Sequence, residues 1–345
     1  MFTHPPKSIC VLRLSAIGDV CNAVAAIQAI QAQWPDTKMT WVVGKAETTL
    51  LAGLDSVEFI VFDKSKGYRA YIDLRKQCRN RKFDVLLHMQ SALRASVASL
   101  FISAKTKVGF DFERATEGQW FFSKHKIQAQ KRPHVLDGFM GFVHKLGLAV
   151  PTVPTWSMPI DAEHRMWAQT VLADKRTAII SPAASKTERN WHSVGYAKVA
   201  EYLVSLGFQV LVCGGVSVVE KALGREIEKN CRVPFKNLIG KTDLKQLLAL
   251  IESSQLLISP DSGPVHMAVS VNTPVVGLYA QSNPQRTGPY LYLDYVVDYY
   301  PEAIKNALGK EFAHIPWGTR VKGELMHNIR FEDVKEKIDL LLKIL

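Results

Sequence analysis

The sequence of 345 residues lacks the features that mark membrane-spanning, secreted and zinc-binding proteins. No stretch approaches about 18 consecutive apolar residues, the length that a membrane-spanning helix requires. The five cysteines are scattered, form no C-x-x-C pair and do not lie at zinc-ligand spacing from a histidine. Residues 1–7 include two prolines and do not resemble a secretory leader. We therefore expect a cytoplasmic protein with reduced thiols and no bound metal.

The G-x-G-x-x-G fingerprint of dinucleotide-binding folds is also missing from both halves of the chain. This absence disfavours a hydride-transferring dehydrogenase. With 47% hydrophobic and 22% charged residues, the composition is that of an ordinary globular protein. A chain of this length usually forms about two domains of roughly 150 residues each.

Positive charge is present in excess and is unevenly distributed. The chain carries 43 Lys and Arg against 32 Asp and Glu, a formal net charge of +11. Residues 1–155 hold 21 basic and 12 acidic side chains, so +9 of this excess lies in the first half. Such asymmetry indicates contact with a polyanion or an anionic membrane surface, and a merely soluble surface is the alternative.

Much of the excess lies in one stretch, in which Asp73 is the only acidic residue. Spacings of three and four within it predict cations along one broad helix face, which would otherwise be a solvated face. Aromatic residues that would stack on nucleic-acid bases are sparse here, so an anionic lipid or phosphorylated glycolipid fits at least as well as nucleic acid. The cations of this stretch are Lys64, Lys66, Arg69, Arg75, Lys76, Arg79, Arg81 and Lys82.

Short Val/Ile/Leu runs alternate with amphipathic segments along nearly the whole chain, which predicts an α/β fold with buried parallel strands. The predicted strands are 8–15, 39–44, 59–63, 84–89, 107–110, 178–181, 209–213, 237–239, 256–259 and 274–279. The predicted helices are 20–33, 68–81, 92–102, 162–174, 194–206, 219–230, 244–251, 263–270 and 331–345.

Three prolines between residues 151 and 159 interrupt this alternation and predict a linker between domains. We expect a Rossmann-like domain over residues 1–155 and a second over 156–325, facing each other across a cleft. A final helical segment, 326–345, follows them.

The first candidate site lies where the first strand meets the first helix, in the segment RLSAIGD (residues 13–19). Strand carboxyl ends face the ligand crevice in open α/β sheets. A carboxylate there, Asp19, is suited to deprotonate a hydroxyl nucleophile. The alternative is that Asp19 only stabilises the helix start through the helix dipole.

Two further segments resemble anion-binding loops at strand ends. Residues 182–191 bring Ser185, Arg189 and other polar residues together after a strand; the alternative is an ordinary surface loop, which is often rich in Ser, Lys and Arg. The segment SPDSGPVH (residues 259–266) joins a strand to a helix, whose N-terminal amides bind anions. Asp261 in this segment is alternatively an N-cap, and His266 a packed core histidine. Gly214, Gly215 and Glu220 weakly resemble a ribose-binding turn.

Together these motifs resemble glycosyltransferase family 9, the ADP-heptose:lipopolysaccharide heptosyltransferases. The resemblance rests on RLSAIGD, on S-x-x-x-R-x-W (residues 185–191) and on SPDSGPVH, in this order along the chain. The S-x-I-G-D form of the first motif is most similar to the first-heptose type. The resemblance implies a GT-B fold with an N-terminal acceptor domain, a C-terminal donor domain, and a last helix that packs back toward the N-terminal domain.

The resemblance also implies an inverting transfer of heptose from ADP-L-glycero-D-manno-heptose to a Kdo residue of lipid A, without a metal cofactor. Asp19 corresponds to the catalytic base. The residues that correspond to the donor site are Ser185, Arg189, Glu220, Thr242, Asp261, Ser262, Gly263 and His266. Those in positions where relatives bind the acceptor are Lys64, Lys66, Arg69 and His134. Many relatives have lysine in place of Arg189.

Two other functions compete with this interpretation. An epimerase acting on a sugar nucleotide would use the same fold and the donor site, but it leaves the basic N-terminal surface unexplained. A non-catalytic membrane or nucleic-acid binder would explain the charge but not the polar loops at strand ends. We therefore expect a cytoplasmic glycosyltransferase at the inner face of the inner membrane, with no nucleic-acid partner.

Overall fold

A computed structural model describes residue 2 and residues 4–344 of the chain. It divides into two compact units, Met1–Pro159 and Ile160–Leu345. Among the described residues, no helix combines the length and the apolar character needed to cross a bilayer.

The first unit is a six-stranded sheet flanked by helices. Its strands are β1 Ser8–Leu12, β2 Lys38–Gly44, β3 Val57–Phe62, β4 Phe83–His88, β5 Ala104–Gly109 and β6 His125–Lys126. Its helices are α1 Ile17–Gln33, α2 Lys45–Leu51, α3 Arg69–Cys78, α4 Leu93–Ala98 and α5 Val135–Leu146.

The second unit repeats this plan with a sheet of the same size. Its strands are β7 Thr177–Ile180, β8 Gln209–Val212, β9 Lys236–Asn237, β10 Leu256–Pro260, β11 Val275–Tyr279 and β12 Val297–Asp298. Its helices are α6 Ala162–Leu172, α7 Ser193–Ser205, α8 Val218–Asn230, α9 Leu244–Glu252, α10 Gly263–Ser270, α11 Pro284–Thr287, α12 Tyr300–Leu308 and α13 Phe331–Leu342.

Both sheets are parallel and share one topology. The strand orders are β3-β2-β1-β4-β5-β6 and β12-β11-β10-β7-β8-β9, so each sheet grows outward in both directions from its first strand. The order reverses between β1 and β4 in the first unit and between β7 and β10 in the second. Ligands of doubly wound sheets bind outside the strand carboxyl ends at this reversal, which is termed the topological switch point.

Burial explains why these segments form sheets and helices. In β1, Ile9 to Leu12 are at most 1% exposed, as a strand covered on both faces requires. In the second unit, Trp191 is 1% exposed and packs against Tyr196 of α7 with ring centroids 5.2 Å apart. A Cβ at Gly195 would lie 2.5 Å from the Trp191 ring, so only glycine allows α7 to pack this closely.

The α/β class and every strand predicted from the sequence are confirmed. The two-residue strands β6 and β12 were not predicted because they are too short to show a period. Four helices were also missed: α2, which follows β2 without a loop, α5, α11 and α12.

The basic stretch is less helical than its spacing predicts. Helix α3 ends at Cys78, so Lys82 does not share a helix face with Arg75. Beyond the helix, Arg81 donates to both carboxylate oxygens of Glu58, at 2.5 and 2.7 Å. This ion pair ties the segment to β3 and offsets part of its charge.

The final helix packs within the second unit. Val334, Ile338 and Leu341 of α13 join the same buried cluster as Trp191 and strands β7, β8, β10 and β11. The described helix ends at Leu342, and the predicted end at Leu345 lies outside the described residues. The return of this helix toward the N-terminal domain stays a prediction.

Lys245 is a buried cation, and its lowered pKa makes the stability of the fold depend on pH. It lies in the first turn of α9, where the helix dipole disfavours positive charge, and it is 6% exposed. Burial lowers the pKa of Lys245 to about 8, although the charges of Asp161 and Asp243 act in the opposite direction. The charged form is therefore less favourable in the folded chain than in the unfolded chain.

We expect Lys245→Met to abolish a rise in the free energy of unfolding that the wild type shows between about pH 8 and pH 10. The unfolded chain retains its proton up to about pH 10.4, whereas the folded chain loses it near pH 8. The wild type therefore gains stability between these values, whereas the variant, which lacks this amine, does not. Urea unfolding at pH 7 and pH 9.5 measures this, with exposed Lys175→Met as the control. If the difference in free energy of unfolding between the wild type and Lys245→Met is the same at both pH values, the prediction is contradicted.

Candidate functional site

The switch point of the first unit is built around Arg13. Its guanidinium Nη1 donates to the carbonyl of Met89 at 2.7 Å, just beyond β4. Its Nη2 forms an ion pair with Oδ2 of Asp19. The amide of Leu14 donates to the side-chain oxygen of Gln90 at 2.7 Å. These contacts join the segment after β1 to the segment after β4.

Asp19 lies in the first turn of α1, as the sequence predicts, and its side chain is 33% exposed. Its Oδ2 also accepts from the amide of Ala16 at 3.5 Å, a weak capping contact. Among the described residues, no hydrogen bond to Oδ1 of Asp19 is present. Asp19 therefore stabilises the helix start and still offers one carboxylate oxygen to a ligand.

A second carboxyl group, Glu47, lies near this switch point. It occupies the first turn of α2, at the carboxyl end of β2, and is 8% exposed. Burial raises the pKa of Glu47, and the charges of Lys64 and Arg13 partly oppose this. Sequence analysis missed Glu47 because an acidic residue in an unpredicted helix gives no signal of its own.

The predicted acceptor residues of the first unit differ in their surroundings. Lys64 and Arg69 are exposed, and exposed Lys66 forms an ion pair with Asp73 at 2.8 Å. His134 is the N-cap of α5 and is 4% exposed; its Nδ1 accepts from the amide of Leu136 at 3.0 Å. A histidine that accepts through Nδ1 is neutral, with its proton on Nε2.

The predicted donor residues meet most closely at the switch point of the second unit. Nη1 of Arg189 donates to Oδ2 of Asp261 at 2.8 Å and to its backbone carbonyl at 2.9 Å. Nη2 of the same guanidinium donates to the hydroxyl of Ser185 at 2.8 Å. Arg189 and Asp261 side chains are 12% and 10% exposed. The structure thus brings together three residues that sequence analysis selected from two separate loops.

Helix α10 begins beside this ion pair. Ser262 rather than Asp261 is the N-cap, and its hydroxyl contacts the hydroxyl of Ser259 at 2.8 Å instead of capping an amide. The helix therefore starts without a side-chain cap, and its first-turn amides are those a phosphate would use. Gly263 is the first helical residue, and His266, which is 9% exposed, lies in the same turn.

Glu220 and Thr242 lie farther along the same sheet edge, after β8 and β9. Oε1 of Glu220 accepts from the amide of Gly215 at 2.8 Å, and Oε2 accepts from the hydroxyl of Ser217 at 2.6 Å. The amide of Gly240 donates to the carbonyl of Gly214 at 2.9 Å, so the two loops are joined next to Thr242. The structure does not bring Glu220 or Thr242 into contact with the Arg189–Asp261 pair.

Two residues after β11, Gln281 and Ser282, were not predicted. The hydroxyl of Ser282 donates to Oδ2 of Asp261 at 2.7 Å. The side-chain Nε2 of Gln281 donates to the carbonyl of Glu188 at 2.5 Å. Both are 3% exposed, and polar residues buried at a strand carboxyl end are the signal that would have identified them.

A surface depression is lined by Ser282 together with Arg286 and Arg320. Within residues 2 and 4–344, no group of three or more His, Cys, Asp or Glu side chains is arranged to hold a metal ion.

Comparison with known proteins identifies relatives of this chain. The model of glycosyltransferase family 9 (heptosyltransferase) matches residues 71–307. The lipopolysaccharide core heptosyltransferase OpsX of Haemophilus influenzae is 44% identical over 337 residues, which are 97% of this chain and 96% of that protein.

Solved structures show the fold. A glycosyltransferase family 9 protein from Veillonella parvula superposes with a TM-score of 0.79 at 24% identity, covering 98% of both chains. Escherichia coli heptosyltransferase WaaC with ADP superposes with a TM-score of 0.72 at 16% identity, covering 97% of this chain and 98% of that one. These likenesses confirm the GT-B fold class predicted from the sequence. With the family model matching more than half of the chain and a relative 44% identical along nearly all of it, the chain belongs to glycosyltransferase family 9, the heptosyltransferases.

Proposed function

We propose that this protein transfers heptose from ADP-L-glycero-D-manno-heptose to a Kdo residue of lipid A, with inversion at the anomeric carbon. The observation that carries the proposal is the cluster of Ser185, Arg189 and Asp261 at the switch point of the second unit. The identity to a lipopolysaccharide core heptosyltransferase supports the heptose donor and the lipopolysaccharide acceptor. The S-x-I-G-D motif supports the first-heptose step.

In the proposed reaction, Asp19 takes the proton of an acceptor hydroxyl as the hydroxyl oxygen attacks the anomeric carbon. The bond from that carbon to the diphosphate oxygen breaks on the opposite face, which releases ADP and inverts the configuration. Arg189 binds the diphosphate and stabilises the charge that develops on it, together with the first-turn amides of α10. These groups can balance the leaving charge without a metal ion.

The other predicted donor residues extend this site. Oδ1 of Asp261 is available for sugar hydroxyls, because both hydrogen bonds to its side chain end on Oδ2. Glu220 binds the ribose, since each carboxylate oxygen can accept a second hydrogen bond. Thr242 lies in the loop that contacts adenine. Ser262, Gly263 and His266 complete the surroundings of the diphosphate and the sugar.

On the acceptor side, we propose that Lys64, Lys66 and Arg69 attract the phosphorylated glycolipid and the anionic inner-membrane surface. We propose that His134, whose Nδ1 is used as the cap of α5, also lies at the acceptor site. The enzyme would act in the cytoplasm, bound to the inner face of the inner membrane.

The proposal is tested with purified protein, ADP-heptose and Kdo-lipid A. We expect ADP to be released only when the acceptor is present, and Asp19→Asn to lower turnover by about 10²–10⁴-fold because the base is lost. Asp333→Asn is the matched control, since Asp333 has the same position in the first turn of α13 and pairs with Arg330. Acceptor-independent ADP formation would contradict a transferase. Wild-type turnover in Asp19→Asn would contradict the role of Asp19 as the base and leave it only the role of stabilising the start of α1.

A second prediction concerns the donor site. Arg189→Ala removes a charge-assisted contact to phosphate, so we expect both ADP and ADP-heptose to bind at least about tenfold more weakly and turnover to fall. Asp261→Ala should weaken ADP-heptose binding more than ADP binding, because it removes the sugar contact. Titration calorimetry measures both. Arg165→Ala, which breaks a bidentate pair with Glu252, is the control for losing an ion pair outside the site. Unchanged affinities in both site variants would contradict a nucleotide site here.

A third prediction concerns acceptor capture. Replacing Lys64, Lys66 and Arg69 together by glutamine should raise the acceptor KM strongly and leave the donor KM nearly unchanged. Each cation near an anionic surface contributes about 1 kcal/mol over a range of about 8 Å at physiological salt.

Flotation with vesicles of phosphatidylcholine and phosphatidylglycerol should show weaker binding by this triple variant and by the wild type at raised salt. The control replaces three exposed cations of the second unit, Lys175, Arg225 and Lys229, and changes the net charge equally. Equal losses in the two triple variants would assign the effect to net charge alone.

A further inference from the structure

The loop after β11 contacts both of the loops that form the donor site. Strand β11 pairs with β10, so its carboxyl end lies beside the start of the Asp261 segment. Gln281 and Ser282 follow β11 closely and are each buried to 3% exposure. Neither belongs to the motifs that identified the donor site, and neither offers an exposed side chain to a ligand.

Ser282 determines how the Asp261 carboxylate is oriented. Its hydroxyl donates to Oδ2 of Asp261 at 2.7 Å, and Nη1 of Arg189 donates to the same oxygen at 2.8 Å. Two donors on one oxygen fix the rotation of the carboxyl group. Among the described residues, Oδ1 has no hydrogen bond, and it is the oxygen left for a ligand.

Gln281 holds the loop that carries Arg189. Its Nε2 donates to the carbonyl of Glu188 at 2.5 Å and to the carbonyl of Gly323 at 3.1 Å. Because both neighbours are carbonyl oxygens, the atom between them must be the amide nitrogen. Glu188 belongs to the short 3₁₀ turn Thr187–Arg189, so this bond fixes the backbone from which the guanidinium extends.

We propose that Gln281 and Ser282 are positioning residues of this transferase: Ser282 orients Asp261 toward the donor sugar, and Gln281 holds Arg189 against the diphosphate. The inference rests on the proposed function, which assigns the sugar to Asp261 and the diphosphate to Arg189. The inference predicts that substitutions at these two neighbouring residues change ligand binding in different ways. Loss of Ser282 weakens recognition of the sugar alone, whereas loss of Gln281 weakens recognition of the diphosphate in any ligand that carries it.

The test compares binding of ADP and ADP-heptose by calorimetry, without acceptor. We expect Ser282→Ala to bind ADP-heptose about tenfold more weakly while its affinity for ADP stays within about twofold. Ser282→Thr, which keeps the hydroxyl, should restore the ADP-heptose affinity. Gln281→Leu should lower the affinities for ADP and ADP-heptose by the same factor, about tenfold. The ratio of the two affinities should then equal that of the wild type.

Two control variants report on the loss of a side-chain hydrogen bond elsewhere in the unit. Ser254→Ala removes a buried hydroxyl that donates to the carbonyl of Leu250 at 2.6 Å, and Gln209→Leu removes an amide that donates to the carbonyl of Leu172 at 3.3 Å. Both should keep the wild-type affinity for each ligand. If Ser282→Ala fails to fold, Ser282→Cys supplies a weaker donor of similar size for the same comparison.

The outcomes separate the two levels of the argument. Wild-type protein that binds neither ligand overturns the proposed function, and this inference with it. If the wild-type protein binds both ligands, two results for Ser282→Ala overturn the inference alone. One is an equal loss of affinity for ADP and ADP-heptose, and the other is the unchanged affinity expected of Ser254→Ala. An unchanged ADP affinity in Gln281→Leu overturns the role of Gln281.

Discussion

The reversal of strand order in each parallel sheet is the constraint on which the rest of this structure depends. Loops that follow adjacent parallel strands normally turn to opposite faces of a sheet at such a reversal and leave a gap between them. Here the gap of each unit contains an arginine paired with an aspartate: Arg13 with Asp19, and Arg189 with Asp261. A cation that spans the gap holds the two loops together and leaves polar atoms at its surface.

The two pairs differ in burial, and this suits different chemistry. Asp19 is the more exposed carboxylate, which suits its proposed role as a base that reaches a hydroxyl of an incoming substrate. Asp261 is largely buried and receives a second donor from Ser282, which makes it rigid. Rigid polar groups stabilise a transition state without reorganising when charge develops.

The sequence predicts the fold and the centre of the site because both depend on local patterns. Val/Ile/Leu runs identify the strands. The segment RLSAIGD follows β1, and the segment SPDSGPVH begins within the end of β10. Gln281 and Ser282 were missed because their partners Glu188 and Asp261 lie 93 and 21 residues away. The helix predicted over 68–81 is too long: α3 ends at Cys78, and Arg81 beyond it pairs with Glu58 across 23 residues, a contact that no local pattern shows.

The bond from Nε1 of Trp191 to the carbonyl of Ile329, at 3.0 Å, has a consequence for the synthesis of this chain on the ribosome. The first unit can fold while the second is still being made. The Arg189 loop cannot reach its final form at that stage, because Trp191 packs in a cluster that includes Val334, Ile338 and Leu341. The loop that carries Arg189 is thus completed only after residues 329–341, which begin 138 residues beyond Trp191, have been made and packed.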